Sequence, residues 1–361
     1  MITVCHLDEQ RGLRGGEQQA AWLVNGLAAR GVKNILIGRG NEEFINMHQG
    51  RNDLERRALP LRGELDVFSA LQLSRLTKDL NVDIVHAHTS HAHGIAALAS
   101  LFGMSSRIVA SRRVDFMPKS HLLNRWKYNR ADRILCVSEK VRQTLETYGL
   151  GPPQTCVVHS AVDLERALMP PVPRASLGVP DDAPLLFSAG ALVDHKDHIN
   201  LLEAVAIVRK QVPSVRVCIA GEGKLRGAIE TKCEALELQD CVSLLGYRAD
   251  APGITRSSDV YVSSSWSEGL GTSILEALAS GVPVVATEAG GAREMVIPGE
   301  TGHLVPVRDA EALAQAILSS LQNRDTALQM AKAGQTLAVE KFSVERMVQQ
   351  TLAAYQELLH S

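Results

Sequence analysis

Aromatic residues are scarce, at 4% of the 361 residues, so any core must be built from Leu, Val, Ile and Ala. No run of about 18 apolar residues occurs, which excludes a membrane-spanning helix of the usual kind. The opening Met1-Ile2-Thr3-Val4-Cys5-His6 lacks a basic stretch followed by an apolar one, and reads as a first strand, not a signal peptide. None of the six cysteines forms a C-x-x-C pair, and most sit in apolar strand-like runs. They read as buried reduced thiols of a cytosolic protein. An excess of one charge is missing too. The formal net charge of −2 argues against a polycation that grips nucleic acid. There is no Asp-x-Asp to hold a cation against a diphosphate. No G-x-G-x-x-G follows the first strand, which argues against a dinucleotide oxidoreductase.

What is present is an alternation. Short β-branched runs at 2–5, 34–37, 83–86, 107–110 and 134–137 are separated by amphipathic stretches such as 17–30, 67–80 and 91–102. Strands alternating with helices of this length mean βαβ units and a parallel sheet. The pattern breaks where Pro170, Pro171, Pro173, Pro180 and Pro184 crowd together, and restarts at 185–189, 215–220, 242–245, 260–263 and 283–286. The tail from Asp309 reads as three helices. The expected architecture is α/β, two Rossmann-like parallel-sheet domains facing across a cleft. Residues 1–165 form the first, 166–183 the linker and 184–343 the second. Ligands of such sheets sit at the carboxyl ends of strands, beside helix N-termini.

The strongest signal follows the strand at 260–263. It runs Ser264-Ser265-Trp266-Ser267-Glu268-Gly269-Leu270-Gly271-Thr272-Ser273-Ile274-Leu275-Glu276-Ala277. Gly269 and Gly271 allow a sharp turn and close approach to a ligand. A helix starting near Thr272 points its N–H groups to the same place, which suits phosphate. Glu268 stands at the mouth and Glu276 farther along the helix. Two carboxylates beside bare phosphate would repel it. They make sense as acceptors for hydroxyl groups on either side of a phosphate, which is what a nucleotide sugar presents.

This stretch resembles the signature of the family 4 glycosyltransferases, retaining enzymes of the GT-B fold, and the resemblance extends over nearly the whole chain. Gly190-Ala191-Leu192-Val193-Asp194-His195-Lys196-Asp197 is similar to the family's phosphate-binding loop. Ala220-Gly221-Glu222-Gly223, Gly290-Gly291-Ala292-Arg293-Glu294 and Gly299-Glu300-Thr301-Gly302 resemble later loops. Arg14-Gly15-Gly16-Glu17 resembles the N-terminal glycine loop.

The resemblance implies that Lys196 neutralises the donor diphosphate as it leaves. It gives Glu268 the sugar hydroxyls and Glu276 the ribose. Gly190 and the Gly269, Leu270, Gly271, Thr272 backbone cradle the donor, and Gly15 and Gly16 let their loop close over the phosphates. It further implies that the last helix, 344–361, crosses back to the N-terminal domain. The sequence departs from the family at three places. Ala191 stands where an Arg is usual, with Arg39, Arg248 and Arg293 as candidate replacements. Ser160-Ala161 stands for Asn-Gly. In the run 109–115, Arg113 occupies the place of a His, and arginine cannot serve as a base. Lys196, Glu268 and Arg113 are thus the catalytic candidates, and His88, Arg112 and Asp115 the acceptor-binding ones.

His86, His88, His91 and His93 cluster after a strand. Alternate strand residues face opposite ways and no Cys or carboxylate set completes a site, so no metal is expected and the histidines read as polar lining or ordinary core and surface groups. The stretch 105–147 carries ten Lys or Arg and four acids, with Phe116, Met117, Leu122, Leu123 and Trp126 interleaved. It suits a peripheral contact with an anionic membrane or a lipid-linked acceptor, or else is a helix with a solvated basic face.

The expectation is therefore a cytoplasmic enzyme, with the inner face of the cytoplasmic membrane as the alternative location. It would be a metal-independent retaining glycosyltransferase without a cofactor, taking a nucleotide-diphosphate sugar as co-substrate. The acceptor would be a cell-envelope glycan or glycolipid. The alternatives are a transferase with a small soluble acceptor, or a non-catalytic nucleotide-sugar-binding protein of the same fold.

Overall fold

A computed structural model of the chain describes residues 1–10, 12, 15–40, 43–46 and 54–360; Arg14 of the N-terminal glycine loop lies outside them. The chain forms two compact units, Met1–Ser160 together with Val344–Ser361, and Ala161–Ser343.

The first unit holds a seven-stranded, all-parallel sheet. Its strands are β1 (Thr3–Leu7), β2 (Lys33–Gly38), β3 (Glu55–Ala58), β4 (Ile84–Ala87), β5 (Arg107–Arg112), β6 (Arg133–Cys136) and β7 (Thr155–Val157). Their order is β3-β2-β1-β4-β5-β6-β7, so the chain reverses its direction of travel across the sheet between β1 and β4. The second unit holds six parallel strands, β8 (Leu185–Ala189), β9 (Arg216–Ala220), β10 (Val242–Gly246), β11 (Val260–Ser263), β12 (Val284–Thr287) and β13 (His303–Val305). Their order, β10-β9-β8-β11-β12-β13, reverses between β8 and β11. Such a reversal parts the two neighbouring loops at the carboxyl ends of the strands and opens a crevice there.

The central strands are apolar on both faces because helices cover both. In the second unit Leu186, Val217, Ile219, Val260, Val262 and Val285 pack with Leu201, Val205 and Val208 of the helix His198–Gln211 and Leu313 and Ile317 of Ala310–Gln322. Helices begin where side chains accept their first N–H groups: Thr89 from Ala92, Ser138 from Val141, and Asp309 from Ala312. The alternation in the sequence left three strands out. β3, β7 and β13 have three or four residues each and close a sheet edge, with mostly half-exposed or exposed side chains. An edge strand with little to bury has no apolar signature.

The proline-rich stretch is not a spacer. The first unit ends at Ser160, and the residues after it belong to the second unit. Val172 N–H donates to the Gly253 carbonyl, Arg256 donates to the carbonyls of Leu168 and Met169, and Arg174 pairs with Asp259 at 2.9 Å. Between Pro170 and Pro184 the stretch forms only the short 3₁₀ turn Arg174–Leu177, and it packs all the same.

The helix Val344–His360 buries Met347, Val348, Thr351, Ala354, Tyr355 and Leu358 in the first unit. It packs on the helix Gly15–Ala28, where Gly26 leaves room for Val348; a Cβ on Gly26 would stand 2.4 Å from a Val348 methyl. Gly26→Ala should therefore lower stability by about 1–3 kcal/mol through overpacking, although alanine is the better helix former by ~1 kcal/mol. In a denaturation cycle, Gly26→Ala combined with Val348→Ala should cost less than the two changes summed. Additive costs would show that the two helices do not meet there.

Candidate active site

In the second unit the crevice is built by glycines first. The loops after β8, β9 and β10 are tied backbone to backbone. Gly190 N–H donates to Ala220 O at 2.9 Å, Leu192 N–H to Glu222 O at 2.9 Å, and Gly221 N–H to Gly246 O at 2.8 Å. Gly221 has φ of +151° and lies so close to the Gly190 carbonyl that a Cβ would come within 1.8 Å of its oxygen. Gly190 in turn carries the stem of Lys196, whose Cε would meet a Cβ there at 3.3 Å.

Lys196 ends a short 3₁₀ turn, Asp194–Lys196. Its Nζ meets Glu268 Oε1 at 2.5 Å, with both side chains largely buried. Ser265 Oγ donates to the same carboxylate oxygen at 2.7 Å. The loop after β11 is bound to the loop after β8: Trp266 N–H donates to His195 O, its indole N–H to Asp194 O at 3.0 Å, and Ser264 Oγ to Lys196 O at 2.9 Å. Gly269 accepts from Gly291 N–H at 3.3 Å, Leu270 is buried, and Gly271, at φ +99°, precedes the helix Thr272–Ala279. The structure thus brings Gly190, Lys196, Glu268 and the Gly269–Thr272 backbone together around the β8/β11 reversal.

Glu276 sits more than a turn inside that helix and pairs with Arg166 Nε at 3.0 Å. Burial pushes its carboxyl above the usual range and the Arg166 charge opposes this. Arg166 was not legible as a site residue, because it comes from the stretch read as a linker. Of the candidates to replace an arginine at Ala191, Arg248 is held bidentately by Asp250 and Arg293 by Glu288, both in the second unit. Arg39 lies in the first unit and donates to Leu61 O. Arg308, which no motif marked, stacks on the Trp266 ring at 4.9 Å and brings a guanidinium to this loop.

In the first unit the β1/β4 reversal gathers a second polar group. Gly15 and Gly16 open the helix Gly15–Ala28, and the Arg113 stem lies over Gly16, where a Cβ would be 3.6 Å from its Cδ. Around Arg113 stand the buried carboxylates of Asp8 and Glu17; burial lowers the Arg113 pKa and these two charges oppose that. Burial pushes the Asp8 carboxyl up to about 7, opposed by the Gln10 N–H bond. Among the described residues, Asp8 Oδ2 and Arg113 Nε are buried without a hydrogen-bond partner. Asp8 follows β1 directly, the one clue that would have found it.

Arg112 turns the other way, as an adjacent strand residue must. It donates to Tyr128 OH at 2.6 Å and to Phe116 O, and stacks on both rings, so it supports the fold instead of facing a ligand. Asp115 is half-exposed on the loop after β5.

The histidines need a correction. His86 and His88 are two residues apart and so share a face, and His6 is opposite His86 in the β1–β4 register. His6, His86 and His88 are buried together, whereas His91 is exposed and pairs with Glu9 at 3.4 Å. Reading the alternation along one strand missed His6, eighty residues away.

These two doubly covered parallel sheets, each with its polar groups at the reversal, define a GT-B protein. Residues 172–337 match the family model for glycosyl transferases group 1, and residues 13–166 that for glycosyltransferase family 4, so the two together span most of the chain. The chain belongs to the family 4 glycosyltransferases. Over 350 residues it is 29% identical to a lipopolysaccharide core biosynthesis glycosyltransferase, LpsE, of Rhizobium meliloti, covering 96% of each chain. It is 27% identical to the glycosyltransferase EpsD of Bacillus subtilis, over 79% of each. Its fold matches Anabaena HepE, solved with UDP and glucose, with a TM-score of 0.86 at 19% identity, over 99% of this chain and all of the other.

Glu268 occupies the Lys196 ammonium, and a diphosphate binding there would have to displace it. Glu268→Gln should therefore tighten binding of a free nucleoside diphosphate by about fivefold, the ~1 kcal/mol scale of one partly screened ion pair. Calorimetric titration measures this, and weaker binding would show that the pair does not compete with the ligand.

Proposed function

We propose that this protein transfers a sugar, with retention at the anomeric carbon, from a nucleotide-diphosphate donor held on the second unit to a lipid-linked or other cell-envelope glycan held on the first. The observation that carries the donor half is the Lys196–Glu268 pair set beside the Gly269–Thr272 backbone. An ammonium and the N–H groups of a helix N-terminus can neutralise a departing diphosphate without a metal ion. Glu268, on the loop, accepts from the hydroxyls of the reacting sugar. Glu276, farther along the helix, takes the ribose once Arg166 shares it. The UDP and glucose named for the HepE structure support a donor of this class.

For the acceptor, the likeness to a lipopolysaccharide core enzyme points to the cell envelope. Asp8, Glu17 and Arg113 offer acceptors and a fork of donors suited to sugar hydroxyls. No helix among the described residues is long and apolar enough to cross a membrane. A surface contact is supported instead by Phe116, Met117, Leu122 and Leu123, all exposed, with Lys119 and Arg125 beside them. Lys127 of the same helix, Leu122–Asn129, holds Glu64, which brings the exposed Leu65 and Phe68 nearby.

Two variants test the donor half. Lys196→Ala should lower kcat by ~10²-fold or more with an unchanged melting profile. Glu276→Gln should chiefly raise the donor KM, by ~1–3 kcal/mol for a hydrogen bond to a charged group. The donor is first identified by thermal stabilisation with UDP, GDP, ADP and their sugars, with and without magnesium. Wild-type turnover in Lys196→Ala would remove that residue from the reaction.

The membrane half has its own test. Leu122→Asp with Leu123→Asp should lower partitioning to phosphatidylglycerol vesicles by about tenfold, the scale of losing one or two inserted leucines. Transfer to a short water-soluble acceptor should be unchanged. Equal partitioning of wild type and variant would rule out this face.

A further inference from the structure

The three buried imidazoles in the first unit are independent of the donor site and of the functional reading above. His6 on β1, His86 on β4 and His88 just past β4 converge because parallel register sets His6 opposite His86, and the two-residue strand period puts His88 on the same face. One ring nitrogen from each lies within 4.8 Å of the others.

The surrounding hydrogen bonds orient the rings. Asn34 Nδ2 donates to Val32 O at 2.9 Å, which fixes the amide and leaves Asn34 Oδ1 to accept from His6 Nε2–H, also at 2.9 Å. His6 Nδ1 therefore carries its lone pair inward, 3.0 Å from His88 Nε2. His86 lies between Tyr355 OH at 2.6 Å and Ser111 Oγ at 2.8 Å. Both partners are hydroxyls, which follow either tautomer, so the ring can present one nitrogen bare. Among the described residues, His88 Nδ1 is buried without a hydrogen-bond partner.

We infer that His6, His86 and His88 form a binding site for one divalent transition-metal ion of the zinc class. Three neutral imidazoles are a ligand set for zinc, cobalt or nickel, and hard ions such as magnesium, which want oxygen, are excluded. A tetrahedral zinc with bonds of ~2.0–2.1 Å holds neighbouring nitrogens ~3.3 Å apart, and the 3.0 Å between His6 and His88 needs only a few tenths of an ångström of opening. Burial keeps His86 and His88 well below their usual pKa, hence uncharged and able to coordinate at neutral pH. Coordination through His86 Nε2 displaces the Ser111 hydroxyl and leaves Tyr355 OH on Nδ1, so Asn34 and Tyr355 are the outer groups that fix ring orientation in such a site. Because Tyr355 belongs to the helix Val344–His360, the ion would stabilise the docking of that helix.

The test uses the full-length chain without an affinity tag, and zinc or cobalt alone as probe. Equilibrium dialysis with elemental analysis should find one ion per chain, and the cobalt form should show the visible absorption of a four-coordinate site. His88→Gln and, separately, His6→Gln should lose that ion, while His91→Gln, on the exposed neighbour, should keep it. Zinc should raise the melting temperature of the wild type and not of His88→Gln. Crystals of the wild type soaked in zinc give a readout that needs no variant: anomalous scattering at the zinc edge should peak among the three rings. No bound ion, an ion retained in both site variants, or a peak only elsewhere overturns the proposal.

Discussion

The constraint on which the donor region depends is the close approach of Gly221 to the Gly190 carbonyl. A Cβ on Gly221 would come within 1.8 Å of that oxygen, and one on Gly223 within 2.3 Å of the Leu192 carbonyl. No side chain can be accommodated in those gaps by a rotamer change, because the neighbours are backbone. The two contacts let the loops after β8 and β9 exchange hydrogen bonds as if the sheet continued past its ends. That fixes where Gly190 lies, and Gly190 is the floor on which the Lys196 stem rests. A lysine loses ~2 kcal/mol of rotamer freedom when it is held in place. Here the floor below, the Glu268 carboxylate ahead and the Ser264 hydroxyl on its own carbonyl take most of that freedom before any ligand arrives.

The ion pair decides how that preorganised charge is used. Charges with little access to water are tolerated when they are paired. Glu268 therefore holds Lys196 in place, at the expense of occupying it. In the proposed function a diphosphate, with more charge than one carboxylate, would replace it as the partner and leave Glu268 to turn to hydroxyls while Ser265 still donates to it. The same logic repeats at Glu276 and Arg166, with a weaker hold because the arginine is half in solvent. Each carboxylate is thus balanced by a cation from another loop while it waits.

The fold and the donor site were legible in the sequence to different depths. Central strands such as Val260–Ser263 are short, mostly apolar runs, and the signature from Ser264 to Glu276 follows one of them without interruption. Everything in that stretch is local, so spacing alone located it. What stayed hidden is not local. Arg166 reaches Glu276 across 110 residues from a segment whose prolines suggested a spacer, and Arg308 reaches Trp266 by stacking, which no spacing encodes. Arg112 and Arg113 are adjacent and equally basic in the sequence, yet strand alternation sends one into Tyr128 and Phe116 and the other beside Asp8 and Glu17. Alternation was available as a rule, but which face is which depends on the sheet.

The histidines show the same limit in its simplest form. Period two along β4 puts His86 and His88 on one face, and this can be read directly. That His6 joins them depends on β1 and β4 pairing in one register out of several, and on β4 lying next to β1 and not next to β3. The order reversal in the first unit is thus also what brings three imidazoles into contact, since among its described strands β1 and β4 are the neighbours farthest apart in the chain. A helix from the far end of the chain then closes over them with Tyr355, the largest fully buried side chain contributed by that helix. In this unit the long-range contacts that sequence periodicity cannot report are the ones that assemble its polar interior, while the apolar pattern reports only that there is an interior to fill.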